Sequence, residues 1–356
     1  MDEFYFSICG GGMPISLSSI GRKYVKSVWS EQKYQGYQIS NKYLLGDVSS
    51  TMTPKGLNAV KDVGFVLPYF LANYKGGRNE CFMYGVDRTT MWYDYDLTSA
   101  YTTILSMAGD PSYSQYRRLT VNELNKLTND EILYSYLILK ADFIFPPSTK
   151  YPSIPCFVDE SCTIYPLQGS CVLTGSEYLV AKSQGCELTI QEIHYIPFTK
   201  SRDDGLQYLK PFDLIVKMVQ EKRREYEKGT ISNLMYKEIG NSIYGSVVRG
   251  MSDKKRFDIK TKTTQRMKGD ELSNPLIASW TTAYVRSVIG ECLDAINRLG
   301  GLVVSVTTDG FITNLCNLES KLEGKYLVSE YKKIREMLSN DNTGLELKNE
   351  GKGILA

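Results

Sequence analysis

The chain has 356 residues, of which 42% are hydrophobic and 23% charged, and its formal net charge is +2. These proportions are ordinary for a globular protein and argue against a disordered chain. No run of about 18 or more apolar residues occurs, and the first residues lack the basic start of a signal peptide, so we expect a soluble, intracellular protein without a membrane partner.

The N-terminal region of the chain leads to a first acidic segment. A helix is predicted over residues 57–71, and the paired glycines of Tyr74-Lys75-Gly76-Gly77-Arg78 either form a simple turn or let the backbone approach a phosphate or a base. Met91 to Asp96 is predicted as a strand and Ser99 to Met107 as a helix. Asp96 would therefore stand at the end of a strand, with its side chain exposed to a cleft.

The region from about residue 110 to 205 alternates strands with proline turns. Strands are predicted over 134–145 and 188–196, with a helix over 175–184. We interpret the region as an insertion in the surrounding domain. Its cysteines form no Cys-x-x-Cys pair and the chain has a single histidine, so reduced, packed thiols are favoured over a structural zinc site. These residues are Cys156, Cys162, Cys171, Cys186 and His194.

Two helices are predicted over 211–228 and 231–245, separated by Gly229. At about 3.6 residues per turn, Lys237, Asn241 and Tyr244 share one face of the second helix and would point at one ligand. Many basic residues flank this helix, which indicates either a solvated surface or a phosphate-binding surface. Those that precede it are Lys222, Arg223, Arg224 and Lys228.

The C-terminal region contains a second acidic segment. A helix is predicted over 275–299, followed by a hairpin of strands 303–306 and 311–313 with Asp309 at its tip. Two carboxylates from distant segments can bridge a pair of Mg²⁺ ions, and a lysine on a rigid helix can neutralise a triphosphate. Asp96, Asp309 and Lys237 together therefore indicate nucleotidyl transfer.

In this order the motifs resemble those of the family B DNA polymerases, and most nearly the protein-primed branch of viruses, phages and linear plasmids. The first palm motif of the family, Asp-x-x-Ser-Leu-Tyr-Pro, is matched by Asp96, Ser99 and Tyr101. Asp94 lies two residues too early for this spacing. The third motif, usually Asp-Thr-Asp-Ser, reads Thr307-Thr308-Asp309-Gly310 here, so its first aspartate and its serine are replaced.

Two further motifs support the resemblance. The Tyr-x-Gly-Gly element of the protein-primed branch is matched by Tyr74, Gly76 and Gly77. The fingers motif, Lys-x-x-x-Asn-Ser-x-Tyr-Gly, is matched in full and is the most specific signal in the chain. Its residues are Lys237, Asn241, Ser242, Tyr244 and Gly245.

The resemblance implies a role for each matched residue. Asp96 and Asp309 would be the catalytic residues and, with Leu97, the ligands of Mg²⁺, for which Mn²⁺ would substitute. Tyr101 would be the steric gate that excludes the ribose 2′-hydroxyl. The predicted nucleotide-binding residues are Lys237, Asn241, Tyr101, Tyr244, Arg223, Arg224 and Ser99. The predicted residues on the template or DNA side are Tyr74, Gly76, Gly77, Ser242 and Gly245.

The implied fold is α+β, a right-hand polymerase with an antiparallel palm sheet, helices and a helical-hairpin fingers region, without an evident exonuclease domain or complete thumb. The expected regions are an N-terminal region leading into the palm (1–72), a first palm segment (73–109), a palm insertion (110–205), the fingers (206–250) and a second palm segment, truncated before the thumb (251–356).

The expected function is template-directed DNA synthesis by a two-metal mechanism, within the host cell of a virus, phage or linear plasmid. Expected partners are primer-template DNA, dNTPs, a terminal priming protein and a separate exonuclease or thumb chain. An alternative is a weak or inactive palm and fingers fragment that binds nucleic acid and needs a partner chain. A metal-dependent nuclease or RNA polymerase explains two carboxylates but neither Tyr101 nor the fingers helix.

Overall fold

The computed structural model describes residues 17–31, 64–158, 162–200, 208–251, 255–259, 261–266, 272–339 and 344–347. The chain divides into two compact units, each built from three segments. The helical unit comprises Met1–Tyr74, Leu105–Tyr116 and Ile196–Ser279, and the sheet unit comprises Lys75–Ile104, Arg117–Tyr195 and Trp280–Ala356. Among the helices in these described ranges, none has the length and apolar character needed to cross a membrane.

Helices and strands alternate irregularly along the chain. The helices are α1 (Leu17–Glu31), α2 (Leu67–Asn73), α3 (Ala100–Met107), α4 (Val121–Leu124), α5 (Asn129–Leu133), α6 (Gly175–Ser183), α7 (Asp213–Arg224), α8 (Ile231–Val247), α9 (Pro275–Arg298), α10 (Leu318–Lys321) and α11 (Tyr326–Ser339). The strands are β1 (Arg78–Cys81), β2 (Tyr93–Leu97), β3 (Arg117–Arg118), β4 (Ser135–Ile144), β5 (Cys156–Phe157), β6 (Thr163–Ile164), β7 (Gln168–Thr174), β8 (Glu187–Pro197), β9 (Lys255–Asp258), β10 (Thr263–Arg266), β11 (Val303–Thr308), β12 (Gly310–Thr313) and β13 (Leu345–Leu347).

The sheet unit contains a five-stranded sheet in the order β1-β11-β12-β2-β13, with antiparallel pairing throughout. A four-stranded sheet in the order β3-β8-β4-β7 forms from the predicted insertion. Its core packs residues of β4 and β7 against α6, including Leu139, Leu173 and Tyr178. Separate antiparallel sheets with helices confirm the α+β class.

Most predicted elements are confirmed with shifts of a few residues at their ends. The strand predicted over 91–96 occupies Tyr93–Leu97, and the hairpin around Asp309 extends to Thr308 on its first strand. The helix predicted over 175–184 is α6. Of the helix predicted over 57–71, residues 57–63 lie outside the described residues, and the helical turns of α2 begin at Leu67.

Helix α9 confirms the helix predicted over 275–299 and is buried along most of its length. Asn274 caps its first turn, because its Oδ1 accepts the amides of Leu276 at 2.9 Å and Ile277 at 3.2 Å. Farther along, the Trp280 indole donates to the carbonyl of Leu133 at 2.9 Å. The polar side chains buried along α9 therefore need partners within the protein, as the Trp280 indole has.

The helical unit packs α1 against α7 and α8. The face of α7 that carries Ile215, Val216 and Val219 is buried, as the spacing of its apolar residues predicts. The Trp29 indole of α1 donates to the carbonyl of Pro211 at 2.7 Å, just before α7 begins. The hydrogen bond from Trp29 and the buried face of α7 hold α1 against the helix pair formed by α7 and α8. This pair corresponds to the two helices predicted over 211–228 and 231–245.

Asp110 is a half-buried acid of the helical unit, and desolvation raises the pKa of its carboxyl from 3.8 to about 7 against an opposing hydrogen bond from Thr199. A raised pKa in the folded state stabilises the fold below the unfolded pKa, and this stabilisation is lost as pH rises through the folded pKa. We therefore expect the unfolding free energy of the wild type to fall relative to Asp110→Asn between about pH 4 and 7, by at most about 1.4 kcal/mol per pH unit.

Urea unfolding of both proteins across this pH range measures the difference, because the titrations common to both cancel. Parallel stability curves for wild type and Asp110→Asn would contradict the raised pKa.

Candidate active site

The register of the five-stranded sheet brings the two predicted catalytic aspartates together. Asp96 on β2 pairs directly with Gly310 on β12, and Asp309 precedes Gly310 in the chain. The amide of Leu97 donates to the carbonyl of Asp309 at 2.9 Å. Tyr95 and Leu97 are buried on one face of β2, so Asp96 projects from the other face. The two acidic segments, far apart in sequence, therefore meet at one point of the sheet.

Both aspartates adjoin turns with unusual backbone geometry. The Asp309 amide donates to the Thr307 carbonyl at 2.7 Å, which closes a three-residue turn around Thr308. Thr308 has φ +62° and Ser99, between β2 and α3, has φ +51°. Left-handed φ values are uncommon for residues other than glycine, and they concentrate at functional sites where the surrounding structure enforces them.

Gly310 has a specific steric reason to be glycine. A Cβ added at this position would collide with Oδ1 of Asp96 and lie 2.9 Å from the carbonyl oxygen of Tyr95. The carboxylate of Asp96 thus occupies the space above Gly310 that a side chain would fill. In this structure, glycine at position 310 leaves room for the Asp96 carboxylate.

If the site performs the nucleotidyl transfer that its motifs indicate, we expect Gly310→Ala to lower nucleotide incorporation by about 100-fold, because displacing a catalytic group by about 1 Å costs roughly that factor. The added methyl group must move Asp96 or the strand below it. Single-nucleotide incorporation rates test this, with Gly64→Ala as the control, since a Cβ at Gly64 meets no atom within 4 Å. Equal rates for wild type and Gly310→Ala would contradict the steric account.

The Tyr-x-Gly-Gly element lies against the same site. A Cβ at Gly77 would lie 2.7 Å from Cγ2 of Thr308 and 2.8 Å from the hydroxyl oxygen of Tyr101. The Thr308 hydroxyl donates to Oδ1 of Asn79 at 3.3 Å. Tyr101 lies in the first turn of α3, directly after the turn that follows Asp96. Three separate predicted motifs are therefore in contact around the hydroxyl of Tyr101.

A buried ion pair holds the Gly-Gly turn. Arg286 of α9 donates to the carbonyl of Gly76 at 2.6 Å and pairs with Glu177 of α6 at 2.6 Å. The exposed fraction of both charged side chains is 1%. Burial disfavours the charged form of Glu177 and acts to raise the pKa of its carboxyl. The positive charges of Arg286 and Lys75 have the larger combined effect, so the pKa is lowered. Burial also lowers the pKa of the Lys75 ammonium.

Cross-strand pairing extends a row of residues across the sheet. Asn79 pairs with Thr307, Thr307 with Gly310, Gly310 with Asp96, and Asp96 with Glu346. Directly opposed residues of antiparallel strands share a face, so Glu346 and Asp96 project on the same side. Glu346 was not among the predicted site residues, because nothing in the sequence indicates that β13 pairs with β2.

The two aspartates suit Mg²⁺, which binds proteins through one or two carboxylates and completes its shell with water and substrate phosphates. In the described ranges, no group of three or more His, Cys, Asp or Glu side chains is arranged to hold a metal ion. The side chain of Leu97 is a hydrocarbon, so only its backbone carbonyl could contribute an oxygen.

The predicted fingers residues lie on α8 in the helical unit. Lys237, Asn241 and Gly245 are exposed and Tyr244 is half-buried, so these four residues lie on the outward side of the helix. Ser242 lies on the buried side instead, where its hydroxyl donates to the Ile239 carbonyl at 2.7 Å. A Cβ on Gly21 of α1 would collide with this hydroxyl.

The remaining predicted residues lie at the ends of helices. Arg223 is half-buried at the end of α7 and Arg224 is exposed. Nε of Arg224 donates to the Gln220 carbonyl at 3.3 Å, and the Arg223 carbonyl accepts from Nδ2 of Asn233 at 3.0 Å. Tyr74 caps α2 through its amide, which donates to the Phe70 carbonyl at 3.0 Å.

Similarity to a known protein extends over most of the chain. No protein-family model matches the chain. Over 287 residues the chain is 33% identical to the primer-independent DNA polymerase PolB of Escherichia coli, a match that covers 80% of this chain and 32% of PolB. The chain thus spans about a third of the length of this curated relative.

Solved structures of Phi29 DNA polymerase have a similar fold. The complex with primer-template DNA and incoming nucleotides matches at a TM-score of 0.54 and 12% identity, over 87% of this chain and 50% of that one. The binary complex with primer-template DNA matches at a TM-score of 0.55 and 13% identity, over 90% of this chain and 51% of that one. At such identity the likeness concerns the fold, while the PolB match concerns the sequence itself. Sequence and fold together support the interpretation of the chain as part of a family B DNA polymerase.

Proposed function

We propose that the chain carries the palm and fingers of a template-directed DNA polymerase. The five-stranded sheet with Asp96 and Asp309 would be the palm, and α7 with α8 the fingers. The observation that carries the proposal is the pairing of Asp96 with Gly310, which puts the two aspartates side by side next to Tyr101. The printed names of PolB and Phi29 DNA polymerase support the same activity.

Asp96 and Asp309 would hold Mg²⁺, with Mn²⁺ as a substitute, and Leu97 would contribute its backbone carbonyl. Bound Mg²⁺ activates the attacking hydroxyl and stabilises charge on the transferring phosphate. The chain itself supplies the rest: Lys237 would neutralise the triphosphate as a point charge, and an arginine at position 223 or 224 would add bidentate contacts. Strained turns at Ser99 and Thr308 would hold the carboxylates in fixed positions before the substrate binds.

We expect the nucleotide substrate to be a dNTP, because the ring of Tyr101 would fill the space that a ribose 2′-hydroxyl occupies. Gly77 packs against the tyrosine hydroxyl and restricts its movement. We expect Tyr101→Val to raise incorporation of ATP relative to dATP by about 100-fold, which corresponds to removing a clash of about 3 kcal/mol.

Competition between dATP and ATP opposite a template thymine measures this ratio. A ratio that is the same in wild type and Tyr101→Val would remove Tyr101 from the gate role.

The mode of initiation has two candidates. The matches to the Tyr-x-Gly-Gly element support protein priming, in which a terminal protein supplies the first hydroxyl and docks on the four-stranded sheet region. PolB is named as primer-independent, which supports initiation without either a primer or a priming protein. Synthesis on single-stranded DNA with dNTPs alone, and no protein primer, distinguishes them.

A second candidate function is a nucleic-acid-binding module that is completed by a partner chain, such as one that supplies a thumb or an exonuclease. Thr307 favours it, because this residue replaces the first aspartate of the third motif. The presence of Asp96, Asp309 and Lys237 opposes it. A binding module should retain DNA affinity and show no metal-dependent chemistry.

The test is incorporation of a single dNTP into a labelled primer-template by the purified chain with Mg²⁺ or Mn²⁺, repeated with each of the four template bases. Incorporation that follows the template base supports the polymerase. DNA binding without incorporation would favour the binding module, and loss of both would contradict the two proposals.

A further inference from the structure

Thr98 lies between Asp96 on β2 and Tyr101 on α3, two of the predicted site residues of the first motif. Elements from elsewhere in the sheet unit bind its backbone at both ends. Its amide donates to the carbonyl of Gly344 at 3.2 Å. Its carbonyl accepts from the hydroxyl of Tyr331 at 2.6 Å. The peptide units that flank Thr98 are thereby fixed by residues far along the chain.

The turn at this point needs external support. Ser99, the next residue, has φ +51°, a conformation that costs free energy for a residue with a side chain. Further hydrogen bonds of the turn come from α3 itself. The Thr103 amide and the Thr102 hydroxyl donate to the Ser99 carbonyl at 2.9 and 3.0 Å, and the Thr103 hydroxyl donates to the Thr98 carbonyl at 3.3 Å. These local bonds move with α3 and cannot fix its orientation relative to β2.

Tyr331 is well placed to supply that support. Its side chain is completely buried, so its hydroxyl cannot exchange this bond for water. Helix α11, which carries it, is anchored at two other points. The Val328 amide donates to Oε2 of Glu291 at 2.8 Å, and the Tyr134 hydroxyl donates to Oε2 of Glu330 at 2.7 Å. The Tyr331 hydroxyl is therefore held in place by a rigid helix.

We propose that Tyr331 is a positioning residue, which fixes the turn from β2 to α3 and thereby sets the orientation of the Asp96 carboxylate and the Tyr101 ring. This inference rests on the proposed function of the site. Tyr331 acts through the Thr98 carbonyl and contacts no substrate. Without the Tyr331 hydroxyl, the Thr98 carbonyl would keep the longer hydrogen bond from the Thr103 hydroxyl. The strained Ser99 conformation would then lose a constraint.

The test compares Tyr331→Phe with Tyr134→Phe. Each variant loses one phenolic hydroxyl that forms a hydrogen bond near the same turn of α11. The Tyr134 hydroxyl, however, binds Glu330 and does not contact the first motif. In Tyr134→Phe, Glu330 remains paired with Lys333. The two variants should lose similar stability. Of the two variants, we expect only Tyr331→Phe to bind Mn²⁺ more weakly than the wild type, by about tenfold when measured by calorimetry. A tenfold change corresponds to the free energy of about one lost buried hydrogen bond.

The same comparison in single-nucleotide incorporation should show a lower kcat for Tyr331→Phe with a nearly unchanged KM, and a smaller preference for dATP over ATP. Wild-type Mn²⁺ affinity and nucleotide preference in Tyr331→Phe, or equal losses in both variants, would overturn the positioning role. A wild-type chain that binds no Mn²⁺ and incorporates no nucleotide would instead overturn the proposed function, and the positioning role with it.

Discussion

Asp309→Asn is expected to lower template-directed nucleotide incorporation by about 1,000-fold, the scale seen when one preorganised electrostatic contact to a transition state is removed. Asparagine keeps the shape of the side chain, so the turn closed by the bond from the Asp309 amide to the Thr307 carbonyl should survive. It removes the negative charge that would bind Mg²⁺. Affinity for primer-template DNA should change little, because phosphate contacts rely on basic residues.

Asp94→Asn is the matched control for this experiment. Asp94 projects from the same face of β2 as Asp96, but it pairs with Ile312, farther from the hairpin tip than Gly310. We expect its effect on incorporation to be about threefold or less, roughly the range of a surface substitution. Incorporation by Asp309→Asn at the wild-type rate, or an equal loss in Asp94→Asn, would remove Asp309 from the metal site.

Arg286→Met is expected to lower the free energy of unfolding by about 3 to 5 kcal/mol, the cost of breaking a buried ion pair by removing one partner. Glu177 would keep its charge with an exposed fraction of only 1% and without its 2.6 Å partner. The Gly76 carbonyl would lose its 2.6 Å donor as well. The Gly-Gly turn beside Tyr101 should therefore loosen, and activity should fall with stability.

Arg298→Met on the same helix is the control. Arg298 pairs with Asp294 at 2.7 Å, but its side chain is 55% exposed, so we expect a loss of about 0.5 kcal/mol or less. Urea unfolding measures both variants. The double variant Arg286→Met/Glu177→Gln should recover some of the loss, because it removes the buried Glu177 charge together with that of its partner. A loss below about 1 kcal/mol for Arg286→Met would contradict the importance of the pair.

The elements that carry the site were predictable from sequence, because their signals are local. Short runs of β-prone residues predict β2 and the β11-β12 hairpin, and the period of the apolar residues predicts α7 and α8. Motif spacing also favours Asp96 over Asp94 as the site residue, and in the sheet Asp96 is the residue opposite Gly310. These inferences need only residues that lie within one element or one motif.

The supports of the site were not predictable, because they join residues that no local pattern connects. Arg286 and Glu177 are 109 residues apart, and Tyr331 and Thr98 are 233 apart. The steric reason for Gly310 requires the position of the Asp96 carboxylate, which only the pairing of β12 with β2 determines. The buried position of Ser242 depends on Gly21 of α1 in the same way.

The measurement that tests the central claim most directly is a crystal structure of the chain with primer-template DNA, a dNTP and Mn²⁺, in which anomalous scattering locates the metal. The account predicts Mn²⁺ bound by carboxylate oxygens of both Asp96 and Asp309, at about the 2.1 Å typical of Mg²⁺ ligands, and in contact with the triphosphate. Mn²⁺ bound elsewhere, or a triphosphate bound without metal at these two aspartates, would contradict it.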